Sequence, residues 1–314
     1  MTFALRLVVI LLAAFGFLNI IGSIALAVLW RPPVGSADMR ARALFHARMT
    51  PTIGALVATV LAACAFVRFE PSGTDERIGW MLTLFALVAL GVLVRTSIRL
   101  VRAERATRQS VRAWMTSAVT TRLDGIDVPV HVVSTTFPIV AIVGLFRPRL
   151  VIARSVLERC HRDEMKAILA HESWHLHRHD NIRRAVFSAA PDVLGWLPLS
   201  RRLRELWQIA AEESADDAAA RTGPAGRVQL AEALVRVARL DAEHRPECSL
   251  PATALYRGES IEQRVRRMLD PTLDLRAGPG NGLIFALVAL VLVVSLLNLG
   301  PIQDLVEIAV NYLP

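Results

Sequence analysis

Lysine is almost absent: of the 36 basic residues in this 314-residue chain, Lys166 alone is lysine. Met165 precedes it and Asp163 lies three residues back, which excludes a Walker A G-K-[ST] loop and an S-x-x-K acyl-enzyme motif. Cysteine is scarce too. Cys64, Cys160 and Cys248 are far apart and odd in number, so they make neither a disulfide frame nor a zinc ribbon and read as free thiols of a reducing compartment. Aromatic residues amount to 6% while apolar residues reach 54%, a balance that excludes disorder and collagen-like order. No internal repeat and no low-complexity tract interrupts the chain, whose length suits one large domain or two ordinary ones.

Apolar surface is what the chain has in excess. Its mean hydropathy is +0.43, whereas a soluble domain of this size has polar surface to cover and seldom averages above zero. Part of it faces lipid. Four stretches stay uncharged long enough to cross about 30 Å of hydrocarbon, which takes roughly 20 helical residues: Leu7 to Trp30, Thr50 to Val67, Ile78 to Val94, and Ala277 to Gln303 with its densest part at Leu283 to Leu299. A fifth, Val186 to Leu199, is broken by Pro191, Asp192, Gly195 and Pro198. It is too short to span and reads as core or as a surface touching the bilayer. Ala25-Leu26-Ala27 resembles a signal-peptide cleavage site, but the apolar run is too long for an h-region and continues to Trp30, which favours a retained span.

Arginine placement sets the expected orientation. Arg31 to Met49 carries four arginines against Asp38, and Arg95 to Arg112 carries six against Glu104, whereas Arg68 to Arg77 has two against three acids. The two basic stretches are therefore expected in the cytoplasm. This puts the amino terminus outside, a domain from about Arg95 to Arg276 inside, and the tail with Asp304 and Glu307 outside again. Arg6 argues weakly the other way. Beside a spanning helix, the Arg95 to Arg112 run reads as attraction to anionic lipid heads, and direct nucleic-acid binding is not expected.

Within the cytoplasmic segment, Val130 to Val133, Ile139 to Val143 and Leu150 to Ile152 read as short strands punctuated by Pro138, Gly144 and Pro148. After His161 the period becomes helical, with Asp163 and Glu164 in a first turn and Met165, Ile168 and Leu169 on one face. Further helices are expected at Ser200 to Arg221, Gly226 to Glu243 and Ser260 to Leu269. A small sheet followed by helices gives an α+β domain.

The first of those helices contains His171-Glu172-Ser173-Trp174-His175. Residues four apart on a helix lie over one another, so both imidazoles point the same way and can hold one metal ion. Glu172 is turned about 100° from His171, beside the ion, which is the place for a base that takes a proton from the attacking water. Random placement of 8 histidines and 15 glutamates yields roughly 0.01 such motifs in this length. A catalytic zinc site has three protein ligands, so a third must come from elsewhere. Glu212-Glu213-Ser214-Ala215-Asp216-Asp217 offers two face-sharing acidic pairs, Glu212 with Asp216 and Glu213 with Asp217. Its small neighbours Ala210, Ala211, Ser214, Ala215, Ala218 and Ala219 would allow close helix approach. The bland alternative is a solvated acidic face.

His171-Glu172-x-x-His175-x-x-Arg178-x-Asp180, preceded by Gly144-Leu145-Phe146-Arg147-Pro148-Arg149-Leu150-Val151-Ile152, resembles the BlaR/MecR-type membrane metallopeptidases. Glu212-x-x-Ala215-Asp216 is similar to the second motif of that family and of the related HtpX and CAAX-protease group. Leu230 to Leu234 and Arg264 to Leu269 resemble family segments more loosely. The resemblance covers about Val128 to Leu269, with three spanning helices before and one after. It implies a gluzincin-like cytoplasmic domain inserted between the third and fourth of four transmembrane helices: residues 1–98 for the first three, 99–276 for the peptidase, 277–314 for the last and a short tail.

The resemblance further implies one Zn2+ per chain held by His171, His175 and Glu212, which selects Glu212 over Glu213, and Glu172 as the catalytic base. Asp216 and Asp180 are then placed to orient the ligating imidazoles through their outer N–H groups. The implied activity is that of a zinc metalloendopeptidase in the cell membrane, cleaving a protein or peptide, for instance a winged-helix repressor. Its substrate would lie extended along an edge strand, for which Ile139, Val140, Ala141, Ile142 and Val143 are the choice. Two departures stand out. Ala215 occupies a place where the family often has cysteine, closer to the HtpX form, and only a short tail follows the fourth apolar run, so no penicillin-binding sensor domain is expected. Other readings are HtpX-like quality control of membrane proteins and a non-catalytic zinc-binding transducer, against which the intact Glu172 counts. His177 and His179 are expected to face solvent, Arg178 to bind lipid or fix Asp180, and Cys160, His131 and His161 to be structural.

Overall fold

A computed structural model describes residues 3–69, 79–135, 137–193, 195, 198–223, 225–243, 258–270 and 308. The fourth apolar run, Ala277 to Gln303, and Cys248 lie outside them. Three long helices come first: α1 (Phe3–Leu29), α2 (Ala37–Phe69) and α3 (Trp80–Met115). All three are long and apolar enough to cross a membrane, and they pack on one another. Helix α1 is apolar along most of its length, with Asn19 and Ser23 buried among the apolar residues, as suits a helix inside a bilayer bundle. Its Gly16 marks a close approach: a Cβ there would sit 2.8 Å from the Phe85 carbonyl oxygen of α3, the small-residue contact that lets membrane helices meet at the backbone.

The segments before and after the apolar runs depart from what charge alone suggests. Arg31 to Met49 reads as a loop, yet from Ala37 onward it is the first half of α2. Good helix formers fill it, and its apolar Ala41, Leu44 and Met49 are buried with Phe187, Leu203, Trp207 and Ala210. Likewise α3 runs without a break past residue 98 to Met115, so the expected boundary at 98/99 falls inside a helix.

A mixed four-stranded sheet follows: β1 (Val119–Thr121), β2 (Val130–Val133), β3 (Val140–Val143) and β4 (Arg149–Ala153), in the order β1-β2-β4-β3. Strand β4 runs parallel to β2 and antiparallel to β3. The three strands expected from the sequence are present within a residue of their ends. Strand β1 is an addition, too short and too exposed to carry an alternation signal. The sheet's inner face packs on Trp114 of α3, on Met165, Ile168 and Leu169 of α5 (Arg162–His177), and on Ala233, Val237 and Leu240 of α8 (Gly226–Glu243). Glu164, 2% exposed, accepts the His161 N–H at 2.7 Å and a bidentate pair from Arg236, which ties the start of α5 to α8.

The remaining helices are α4 (Arg154–Arg159), α6 (Asp180–Ala189), α7 (Pro198–Ala219) and α9 (Gly258–Leu269). Helices α7, α8 and α9 fall where the apolar period puts them. Helix α6 and the turn after it resolve the broken apolar stretch Val186 to Leu199. Ala190 to Val193 form a turn wedged between α1 and α2. Asn19, fully buried, donates to the Pro191 carbonyl at 3.3 Å and accepts the Val193 N–H at 2.9 Å. Thr52 donates to that same carbonyl at 2.8 Å, Arg48 to the Ala190 carbonyl at 3.1 Å, and Ser23 and Ser200 to the two oxygens of Asp192. Irregular backbone beside membrane helices survives only where protein groups satisfy it, and here spanning-helix side chains do so.

Leu26 of α1 and Trp30 just past its end, Phe45 of α2, Phe187 of α6 and Leu203 and Trp207 of α7 share one core with this turn. Trp207 is 1% exposed. Trp207→Ala is expected to lower the unfolding free energy by about 3–5 kcal/mol, measured by denaturant titration in detergent with the wild type alongside.

Candidate metal centre

Helix α5 supplies His171 and His175 one turn apart, and α7 crosses it closely enough to bring Glu212 to both. The close approach follows from the small side chains foreseen in the sequence: Ala210 and Ala211 are buried and Ala215 is fully buried on the face turned to the protein interior. Trp174 donates to the Ser214 hydroxyl at 2.9 Å and fixes the crossing. One ligand atom from each of His171, His175 and Glu212 lies within 4.8 Å of the other two. The two Nε2 atoms are 3.2 Å apart. Glu212 presents one oxygen 3.5 Å from His171 Nε2 and the other 3.7 Å from His175 Nε2.

Behind each imidazole stands a carboxylate. Asp180, at the first position of α6, holds His175 Nδ1 at 2.8 Å, and Asp216, one turn beyond Glu212, sits 3.0 Å from His171 Nδ1. Both carboxylates face the nitrogen remote from the shared space, so each ring turns its Nε2 inward. Glu172 is 3% exposed on the neighbouring face of α5. Burial pushes its carboxyl above the usual range, with the Glu212 charge adding and the two imidazoles and Arg264 opposing. His171 and His175 have the reverse balance: burial disfavours their charged forms, but the acids around them win. His175 is held up to about 10, chiefly by Glu212 and Asp180. Burial would keep Glu212 neutral, yet His175, His171 and Arg264 hold it ionised, well below the carboxylate range.

Several residues of the site carried no site role in the sequence. Arg264 on α9, 4% exposed, makes a bidentate pair with Asp216 at 2.8 and 2.6 Å and lies 3.3 Å from Glu212. Although burial opposes it, this guanidinium is the main reason Asp216 titrates at about 2. One turn on, Arg267 pairs with Asp217 at 2.8 Å. Glu213 pairs with Arg40 of α2 at 2.6 Å. Each acid of the run Glu212 to Asp217 thus meets a cationic or imidazole group, and the run is no solvated face. The signal was there in outline: two acidic pairs on α7 need matching cations, and Arg264 and Arg267 stand three apart on an amphipathic helix.

Other singled-out residues fall as follows. Arg178 is buried and pairs with Asp38 of α2. His177 lies against the Trp174 ring, centroids 5.9 Å apart. His179 caps α6 with left-handed backbone, φ 54°. His131 faces the Thr120 hydroxyl at 3.1 Å. Cys160 is half-buried, and burial with the Glu164 charge pushes its thiol up to about 11, an inert state. Neither His131 nor Cys160 approaches the His171 group. Strand β3 ends the sheet, so Val140, Ala141, Ile142 and Val143 lie on an edge strand and Ile139 just before it.

Two histidines and a carboxylate around one buried point, with a second acid, Glu172, beside them, fit the H-E-x-x-H pattern of metallopeptidases. The sequence model of the BlaR1 peptidase M56 family matches residues 4–268, and the chain belongs to that family of membrane peptidases. No curated protein matches the chain.

Among the described residues, Arg264 and His171 are the groups that pair with the buried Asp216. Arg264→Leu leaves two buried carboxylates undercompensated and is expected to destabilise by about 3–5 kcal/mol, read by denaturant titration in detergent.

Proposed function

We propose that this protein is a zinc metalloendopeptidase of the cell membrane whose gluzincin-like catalytic domain, residues 99–276, is cytoplasmic and lies between the third and a fourth spanning helix at 277–303. The observation that carries the reading is the convergence of His171, His175 and Glu212 with both imidazoles backed by acids. The spacing supports zinc in particular. Two donors bound tetrahedrally at about 2.0–2.1 Å stand about 3.3 Å apart, and the two Nε2 atoms are 3.2 Å apart. An N,N,O donor set of two imidazoles and one carboxylate is that of catalytic zinc with a fourth position open.

When bound there, zinc supplies a Lewis acid that lowers the pKa of water toward about 7 and polarises a carbonyl. The chain does the rest. Glu172 takes the proton of the attacking water and delivers it to the leaving amine. Asp180 and Asp216 keep the imidazoles in the tautomer that offers Nε2. Arg264 keeps Asp216 ionised for that role. The substrate lies extended beside β3, pairing main chain to main chain.

The site lies near the membrane but outside its apolar layer. Arg40, the partner of Glu213, precedes the apolar half of α2 at Thr50 by about 15 Å of helix. A soluble cytoplasmic polypeptide can reach such a site, which supports regulatory cleavage of a repressor over removal of spanning segments.

Glu172→Gln is expected to keep zinc and lose cleavage by about 10²–10⁴-fold, measured on a co-expressed repressor in membranes; undiminished cleavage overturns the reading. Purified wild type should hold one zinc per chain by metal analysis, and His171→Ala should lose it. Asp180→Ala should weaken zinc affinity about 10–100-fold, measured by competition with a chelating dye.

A further inference from the structure

Among the described residues, strand β3 pairs with another strand on one side only. Its register pairs Val140 with Ile152 and Val143 with Arg149, and the Ala153 N–H bonds the Ile139 carbonyl at 2.7 Å. In an antiparallel ladder the bonded residues alternate, so Ile139, Ala141 and Val143 turn their main-chain groups to β4. Val140, Ile142 and Gly144 turn theirs outward. A free edge of this length would offer an incoming strand the N–H and C=O of Val140, the same pair of Ile142, and the Gly144 carbonyl.

Part of that edge is already taken. The side-chain amide of Asn181 donates to the Ile142 carbonyl at 2.9 Å and to the Gly144 carbonyl at 3.2 Å. Two carbonyl acceptors require the amide nitrogen at this position. Gly144 is fixed in its turn by backbone with φ 101° and by the Arg147 carbonyl oxygen, only 2.6 Å from where a Cβ would be, so the carbonyl that Asn181 meets is itself held. Among the described residues nothing bonds the N–H or C=O of Val140 or the N–H of Ile142. Asn181 also directly follows Asp180, which holds the His175 ring at 2.8 Å. Two consecutive residues at the start of α6 therefore tie the candidate metal centre to one end of the sheet edge.

We propose that Asn181 sets substrate specificity by closing the carboxyl-terminal half of the β3 edge, so that a substrate strand bonds only Val140 and the N–H of Ile142. This rests on the peptidase reading above. For a substrate antiparallel to β3, the residue opposite Val140 gives and accepts a main-chain bond. The residue two positions toward the substrate's amino terminus faces Ile142; it accepts a bond but finds no acceptor for its own N–H. Asn181 is a positioning residue in this scheme, since it touches the strand and not the scissile bond.

The test uses the full-length, zinc-loaded protein in detergent. A library of unstructured synthetic peptides locates preferred cleavage sites, and one good substrate is remade with single backbone N-methyl groups, each deleting one N–H donor. In the wild type, N-methylation opposite Val140 is expected to raise KM about 3- to 10-fold, the worth of one hydrogen bond, while N-methylation two residues toward the amino terminus changes nothing. In Asn181→Ala that second position becomes sensitive by the same factor. Asn181→Ser, too short to reach the two carbonyls, should behave alike and serves if the alanine variant loses zinc or fails to fold. Identical N-methyl profiles in the wild type and the variants overturn the proposal and leave the peptidase reading standing. A wild type that cleaves no more peptide than Glu172→Gln overturns both.

Discussion

Burial of charge on α7 governs the architecture around the candidate metal centre. Four acids occupy six consecutive positions, and Asp216 is 1% exposed. A carboxylate in that environment costs several kcal/mol unless a partner and hydrogen bonds offset the lost hydration. The partners arrive from separate parts of the chain: His171 and His175 from α5, Arg264 and Arg267 from α9, and Arg40 from α2. Helices α2, α5 and α9 each bring a positive or protonatable group to it. The need to neutralise one acidic run thus fixes how α2, α5 and α9 stand relative to one another, and the metal-binding geometry follows from the same requirement.

Local rules made much of this visible in the amino-acid sequence. The four-residue spacing of His171 and His175 puts two rings on one face of any helix, and the alanines around Glu212 announce a close crossing. Strands rich in valine and isoleucine and bounded by Pro138, Gly144 and Pro148 stand out by composition, as do the apolar spans. What stayed hidden depends on pairing at long range. Nothing local to Arg264 says that its partner is Asp216, 48 residues away, and nothing local to Asp38 points to Arg178. The charge of Arg31 to Met49 masks the helical period of its second part. Its apolar residues at Ala41, Leu44 and Met49 serve α7, a partner that a single helix does not reveal.

The carboxylates behind the imidazoles illustrate how position converts into chemistry. Asp180 reaches His175 because α5 ends at His177 and His179 takes left-handed backbone, turning the chain so that α6 begins beside the ring. Asp216 reaches His171 because it is one helical turn from Glu212, on the same face of α7. In both cases the residue that orients a ring is set by secondary structure within a few residues of an element end, and a shift of one residue in either element would aim the carboxylate elsewhere.

The turn at Ala190 to Val193 has a consequence for how the peptidase part can exist at all. Its carbonyls and N–H groups are satisfied by Asn19, Arg48 and Thr52 of the first two helices, and Phe187 and Trp207 bury against residues from the same two helices. Excising residues 99–276 would strand those polar groups without acceptors or donors and bare an aromatic surface. The catalytic half is therefore no detachable globule carried on a tether; its interior is completed by the helices that cross the lipid.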